Sequence, residues 1–171
     1  FKVKNLIIAD KDSFLKAKKI IKKKNINIYN SYDDIDKIFK NKIDYTMSSV
    51  SGLSGLNSTM KIIKFTKNIA IANKESIICA WNLIEKELIK HKTNFIPIDS
   101  EHFSIWSLIG NTPTCKVDKI IITASGGPFL NHPFNKFDKI NIKDALKHPN
   151  WSMGKKISID SATMMNKVFE V

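Results

Sequence analysis

Asn68-Ile69-Ala70-Ile71-Ala72-Asn73-Lys74-Glu75-Ser76 is an apolar run that turns polar and then enters a long helical pattern. Read as a strand over Asn68–Ala72, it leads into a helix near Glu75–His91 and a further strand at Phe95–Ile98. Strand, helix and strand in that order make a βαβ unit, which implies a parallel sheet. The same alternation continues upstream. Asn5–Ala9 reads as a buried strand, Ser13–Lys24 as a helix and Ile26–Tyr29 as a short strand. Asp33–Phe39 reads as a short helix, Asp44–Met47 as a strand, and the segment from Gly52 to about Lys64 as a helix. The fold class is therefore α/β, and ligands of such sheets gather at the carboxyl ends of the strands.

Downstream of Ile98 the character changes, so a domain boundary is expected near Ile96–Asp99, with residues 1–97 on one side and 98–171 on the other. Lys119–Thr123 reads as one more strand, running into Ala124-Ser125-Gly126-Gly127-Pro128. A short helix is expected near Ile142–Lys147, a strand-like piece at Lys156–Asp160 and a helix over Ala162–Val171. No internal repeat is visible.

Composition bounds the function. Of 171 residues, 43% are hydrophobic and 26% charged, a globular rather than disordered balance. No run approaches the roughly 18 apolar residues of a membrane span, so no membrane partner is expected. The opening Phe1-Lys2-Val3-Lys4 has no Met and no signal-peptide core, so the chain is expected to begin inside a longer protein. Cys79 and Cys115 fit no metal or redox spacing, in keeping with a reduced compartment. The net charge of +12 raises nucleic-acid binding. Much of it lies in amphipathic stretches such as Lys16, Lys18, Lys19, Lys22, Lys23 and Lys24, without interleaved aromatics. It is read as a solvated face that can steer an anionic substrate, with no nucleic-acid partner.

Chemistry can sit in five places. Pro97-Ile98-Asp99-Ser100-Glu101-His102 ends a predicted strand, and side chains two apart on a strand point the same way. Asp99 and Glu101 would then converge, and adjacent carboxylates repel unless a cation or proton lies between them. Oxygen ligands of this kind suit Mg²⁺ or Mn²⁺, although a solvated loop fits the same residues. Asp160 or Ser161 can cap the last helix, on which Asn166 and Lys167 each neighbour Glu170. Ser161, Asn166 and Lys167 offer a hydroxyl, an amide and an ammonium to a phosphate; a capped surface helix is the alternative. Paired Gly126 and Gly127 would let backbone N–H groups approach an anion. Lys74 stands where a strand meets a helix, beside the expected ligand crevice. His148-Pro149-Asn150-Trp151-Ser152-Met153-Gly154 puts a Trp in a polar loop, as a closing lid would. Gly52 and Gly55 could border a dinucleotide but lack the GxGxxG spacing.

Taken together, Ala72–Ser76, Pro97–His102, Ser125–Phe129, His148–Gly154 and Lys156–Lys167 resemble, in order and roughly in spacing, the 1-deoxy-D-xylulose 5-phosphate reductoisomerase family. The resemblance implies an incomplete Rossmann-like, NADPH-binding parallel sheet over 1–97. It implies part of an α+β metal- and substrate-binding catalytic domain over 98–171. The implied activity converts 1-deoxy-D-xylulose 5-phosphate to 2-C-methyl-D-erythritol 4-phosphate with NADPH and Mg²⁺ or Mn²⁺, in isoprenoid precursor biosynthesis. By resemblance, Asp99, Glu101 and Glu170 hold the metal. Lys74, Ser100, Glu101, Ser125, His148, Trp151, Ser161, Asn166, Lys167 and Glu170 meet the phosphorylated sugar, with Lys74, Glu101 and His148 closest to the chemistry. Asn73, Glu75 and Gly154 would contact NADPH. The family implies a homodimer when full length, in a bacterial cytoplasm or a plastid-type organelle. Several features depart from the pattern, among them a segment between Glu101 and Ser125 that is shorter than usual. Ala9-Asp10-Lys11 replaces the usual glycine-lysine-asparagine, and Val168-Phe169 stands where glycine-leucine is usual. A sugar-phosphate lyase or isomerase without nicotinamide is the competing enzyme class, and a basic nucleic-acid module the competing binding class.

Overall fold

The structure is a computed structural model that describes residues 2–21, 25–110, 113 and 116–171. Lys22, Lys23, Lys24 and Cys115, named above, lie outside the described residues. The chain divides into two compact units, Phe1–Ile98 and Asp99–Val171.

The first unit is built of parallel strands and helices in alternation. Strand β1 (Asn5–Ile7) pairs with β2 (Asn27–Tyr29), and β3 (Ile43–Ser48), β4 (Thr66–Ile71) and β5 (Asn94–Pro97) form a second sheet in that order. Helices α1 (Lys11–Ile20), α2 (Ile35–Ile38), α3 (Gly55–Ile62) and α4 (Lys74–His91) fill the connections. Ile69, Ala70 and Ile71 of the middle strand are all buried, as expected of a parallel strand covered on both faces. Helix α4 lays Ser76, Ala80, Ile84 and Leu88 onto that sheet. Ala80, Ile84 and Leu88, spaced by four, share one helix face, and the backbone kinks at Ala80 (φ −143°) between them and Ser76. With Ile63, Ile69 and Ile71 the apolar members of this face make the core of the unit. The capping is local. Asp10 accepts a hydrogen bond from Ser13 N at 2.7 Å at the start of α1, and the Ser13 hydroxyl first and this backbone N–H second hold its carboxyl below the ordinary carboxylate range. Thr93 closes the turn before β5, its hydroxyl lying 2.9 Å from the carbonyls of both Ile63 and Thr66.

The described residues of the second unit carry helices and turns. Helix α5 (Ser100–Ile109) comes first, then 3-10 turns at Gly127–Phe129 and Phe134–Lys139. Helices α6 (Ile142–Ala145), α7 (Lys155–Ala162) and α8 (Met165–Val168) follow. Two sequence expectations are corrected here. Lys119–Thr123 forms no strand; of its three isoleucines Ile120 and Ile121 are exposed and Ile122 is half-buried, and it pairs with no strand among the described residues. Lys156–Asp160 is part of helix α7. The alternation of Ile157 and Ile159 imitates a strand, but the buried residues of this helix are Ser158 and Ser161, three apart. No described helix is long and apolar enough to cross a membrane.

Candidate metal centre

Asp99, Glu101 and Glu170 each offer a carboxylate oxygen, and these atoms all lie within 4.8 Å of one another. The convergence does not arise from strand alternation. Strand β5 stops at Pro97, and Asp99 is the N-cap residue of α5, with Glu101 in the first turn. The positive end of the helix dipole favours acidic groups there. Glu170 arrives from just beyond α8 and is buried.

One cation of the chain already stands among these oxygens. Lys167 Nζ bonds Glu101 Oε1 and lies 2.7 Å from Glu170 Oε2. Burial works against the charge on Glu101. Hydrogen bonds from Lys167, from Ser100 Oγ at 2.6 Å and from backbone outweigh it and bring its carboxyl down to about 2. Lys167 is pushed upward in turn, burial again being overcome by its bonds to Glu101 and Glu170. The ammonium stands in for a cation, and the all-oxygen donor set is that of a hard divalent ion. These residues fit the metal that the sequence implies.

The helix expected over Ala162–Val171 is broken. Met164 takes a left-handed conformation (φ 60°) between α7 and α8. Neither proposed cap acts as one. Asp160 pairs with Lys156 at 2.7 Å, and Ser161 is buried within α7. The break presents Asn166 and Lys167 in a short separate turn. Asn166 Oδ1 is buried with no hydrogen-bond partner among the described residues, so it is a polar group that a ligand could satisfy.

A second cluster joins Ser125 and the His148 loop. His148 Nδ1 accepts from the backbone N–H groups of Asn150 and Trp151 at 3.1 and 3.0 Å. That leaves the proton on Nε2, which donates to Ser125 Oγ at 3.1 Å. Trp151 is exposed, and a Cβ on Gly154 would meet nothing within 4 Å, so this loop borders open space. Gly127 has a different use from the expected one. Its φ is +65°, and a Cβ there would lie 2.6 Å from Ser161 O. This glycine lets the Gly127–Phe129 turn press onto the backbone of α7.

In the first unit, Asn73 caps α4 through Ser76 N at 2.9 Å, and Lys74 and Glu75 form the first turn. These residues sit at the carboxyl end of β4, beside the Val50–Gly55 loop that follows β3.

Sequence reading passed over His102. Its Nε2 donates to Glu170 O at 3.1 Å, and its Nδ1 is 3.9 Å from Asp99 Oδ1. It thus holds the backbone of Glu170 and stands beside Asp99 at a distance too long for a hydrogen bond. The three-residue spacing from Asp99 on one helix was the available signal.

Residues 1–81 match the family model "1-deoxy-D-xylulose 5-phosphate reductoisomerase", and residues 95–171 match that of its C-terminal domain. The chain is similar to the 1-deoxy-D-xylulose 5-phosphate reductoisomerase of Pelagibacter ubique, 62% identical over 173 residues, which cover 100% of this chain and 45% of that one. The enzyme of Clostridium tetani is 43% identical, again with 100% and 45% covered. The chain thus spans about half the length of the curated relatives it matches. Among solved structures, the Zymomonas mobilis reductoisomerase in complex with NADPH superposes with a TM-score of 0.83 at 34% identity, over 98% of this chain and 43% of that one. A reductoisomerase in complex with NADPH, fosmidomycin and magnesium gives 0.82 at 32% identity, over 99% and 45%.

Proposed function

The chain belongs to the 1-deoxy-D-xylulose 5-phosphate reductoisomerase family, and from that premise we propose that the full-length protein converts 1-deoxy-D-xylulose 5-phosphate to 2-C-methyl-D-erythritol 4-phosphate. It does so with NADPH and Mg²⁺ or Mn²⁺. The observation that carries this reading is the convergence of Asp99, Glu101 and Glu170 on one point.

The bound cation supplies a Lewis acid for a carbonyl and an anchor for neighbouring substrate oxygens, and NADPH supplies the hydride. The chain's own residues do the rest. Asp99, Glu101 and Glu170 hold the cation. Ser100, whose hydroxyl already orients Glu101, meets a substrate hydroxyl together with it. With the three carboxylates occupied by a cation, the Lys167 ammonium would be available to the substrate phosphate, beside Ser125, Ser161 and Asn166. The phosphate is remote from the reacting carbons, so its binding energy orients them. His148, held in one tautomer by its own loop, keeps an N–H directed at Ser125. His148 and Trp151 close over the substrate and exclude water. On the family's pattern Lys74 is assigned to the substrate, and Asn73, Glu75 and Gly154 are assigned to the nucleotide.

In this reading residues 1–97 are the remainder of a Rossmann-like NADPH-binding domain, and 98–171 part of the catalytic domain. A cavity of about 230 Å³ is lined by Ile7 of β1 and by Thr46, Met47 and Ser48 of β3. Each of these strands is paired along one edge only among the described residues. One further parallel strand between them would join the two sheets, as a dinucleotide fold requires. On the same reading the full-length protein is a homodimer of the bacterial cytoplasm or of a plastid-type organelle.

The test is NADPH oxidation by the full-length protein, followed at 340 nm with substrate and Mg²⁺. Wild type turns over, and Glu101→Gln does not while its circular dichroism is unchanged. Near-normal turnover in that variant removes the metal assignment. No oxidation by wild type removes the function.

A further inference from the structure

Glu170 must hold its carboxylate at a fixed point, yet the backbone that carries it has little regular structure behind it. Helix α8 is four residues long and ends at Val168, and a single turn of this length does not hold its shape alone in water. Phe169, the residue before Glu170, is its C-cap and donates its N–H to Met165 O at 3.0 Å. Glu170 donates its own N–H to Lys167 O at 3.0 Å. The His102 ring reaches the Glu170 carbonyl at 3.1 Å, which fixes one side of this backbone.

The other side meets Lys156. Its Nζ lies 5.6 Å from the centroid of the Phe169 ring, within reach of a cation–π contact. The same ammonium bonds Asp160 Oδ2 at 2.7 Å, one turn along α7. The Asp160 side chain is 16% exposed and that of Lys156 is 52%, so the carboxylate is set in the protein and fixes where the ammonium points. Local preference does not ask for a lysine here. Lys156 lies in the first turn of α7, where the helix dipole disfavours a cation. It also precedes its acidic partner by four residues, the weaker order for such a pair. A residue placed against local preference points to a tertiary contact, and the half-buried Phe169 supplies one. Phe169 stands where leucine is usual in the family. Leucine fills space but has no π face to offer.

We propose that Lys156 and Phe169 are a positioning pair: held by Asp160, the Lys156 ammonium draws the Phe169 ring against α7 and so places the carboxylate of Glu170 for the cation. Both residues act through Glu170. The proposal rests on the metal-site reading for the cation and on geometry alone for the pair.

Variants of the full-length protein test it. Lys156→Met keeps the apolar stem and removes the charge. Phe169→Leu keeps apolar bulk and removes the π face, and Phe169→Tyr keeps that face. The double variant Lys156→Met with Phe169→Leu closes the cycle. Two measurements are made: hydrogen exchange of the amides in 168–170 in metal-free protein, and Mn²⁺ affinity by calorimetry. Loss of a cation–π contact at a half-exposed site is worth about threefold in an equilibrium constant. Lys156→Met and Phe169→Leu should each speed exchange and weaken Mn²⁺ binding by about that factor. The double variant should match them and not reach about ninefold, because both changes remove one interaction. Phe169→Tyr should behave as wild type. Wild-type exchange in Lys156→Met and Phe169→Leu overturns the pair. Multiplied effects in the double variant also overturn it, since they mark independent packing roles, as does a Phe169→Tyr change as large as that of Phe169→Leu. Faster exchange with Mn²⁺ affinity unchanged from a wild type that binds the ion overturns the placing of Glu170. A wild-type protein that binds no Mn²⁺ removes the metal-site reading instead. Faster, non-additive exchange at 168–170 then still upholds the pair's hold on Glu170, and unchanged exchange overturns it.

Discussion

Replacing Gly127 by Ala should be among the most damaging single-methyl changes in the second unit. Two effects add. At φ +65° an alanine in the left-handed region costs about 1–2 kcal/mol. The new Cβ would also lie 2.6 Å from Ser161 O and 3.3 Å from Ala162 Cα. Both are backbone atoms of α7 and cannot swing aside, so overpacking adds about 1–3 kcal/mol. The expected loss is therefore about 2–5 kcal/mol, or on the order of 10 °C in melting temperature. Gly126→Ala is the internal control. Its φ is +80°, and its Cβ would meet only Leu130, whose two Cδ atoms can swing aside while its Cβ, at 2.9 Å, moves only with the exposed turn that carries it. That variant should lose less, about 1–3 kcal/mol. Thermal and urea unfolding of the two full-length variants supplies the comparison. Equal midpoints would refute the close packing of the turn on α7.

Three further outcomes follow from the same geometry. In metal-free protein, Lys167→Met leaves Glu101 and Glu170 side by side without their shared ammonium and should cost about 1–3 kcal/mol. Excess Mg²⁺ should then raise the variant's melting temperature more than that of wild type, and an identical Mg²⁺ response would contradict the stand-in role of Lys167. Glu101 is held at about 2 in the folded chain, below its ordinary value of 4.5. Its stabilisation is thus present above pH 4.5 and lost as pH falls toward about 2; the urea midpoints of metal-free wild type and Glu101→Gln should converge over that range, and a constant gap would count against the pairing. Ile84 is fully buried in the core of the first unit, so Ile84→Ala should lose about 2–5 kcal/mol in urea unfolding. Ile89→Ala, on the exposed side of the same helix, should stay within about 0.5 kcal/mol of wild type.

The α/β order of the first unit was legible because its strands are apolar runs and its helices carry their own stop and start residues. Asn73 and Lys92 mark the two ends of α4, by side-chain capping and by a left-handed C-cap. The second unit was less legible. Helix α7 buries Ser158 and Ser161, a polar stripe that hydrophobic periodicity does not register. Ser158 satisfies its hydroxyl on Gly154 O at 3.2 Å, and Gly127 supplies the space for Ser161, which only the three-dimensional packing reveals. The break at Met164 carries no Gly or Pro to announce it. Of the metal cluster, the pair Asp99 and Glu101 could be read locally, though for the wrong geometric reason. Glu170 lies 69 residues beyond Glu101 in sequence, and no local spacing rule reaches that far; the resemblance alone placed it there.

The central claim is that Asp99, Glu101 and Glu170 form a divalent-cation site. Calorimetric titration of the metal-free full-length protein with Mn²⁺ tests it most directly, with Glu101→Gln and Glu170→Gln alongside. The account predicts one Mn²⁺ per chain in wild type and affinity weakened by about tenfold or more in each variant. Wild-type affinity retained in both variants would contradict it.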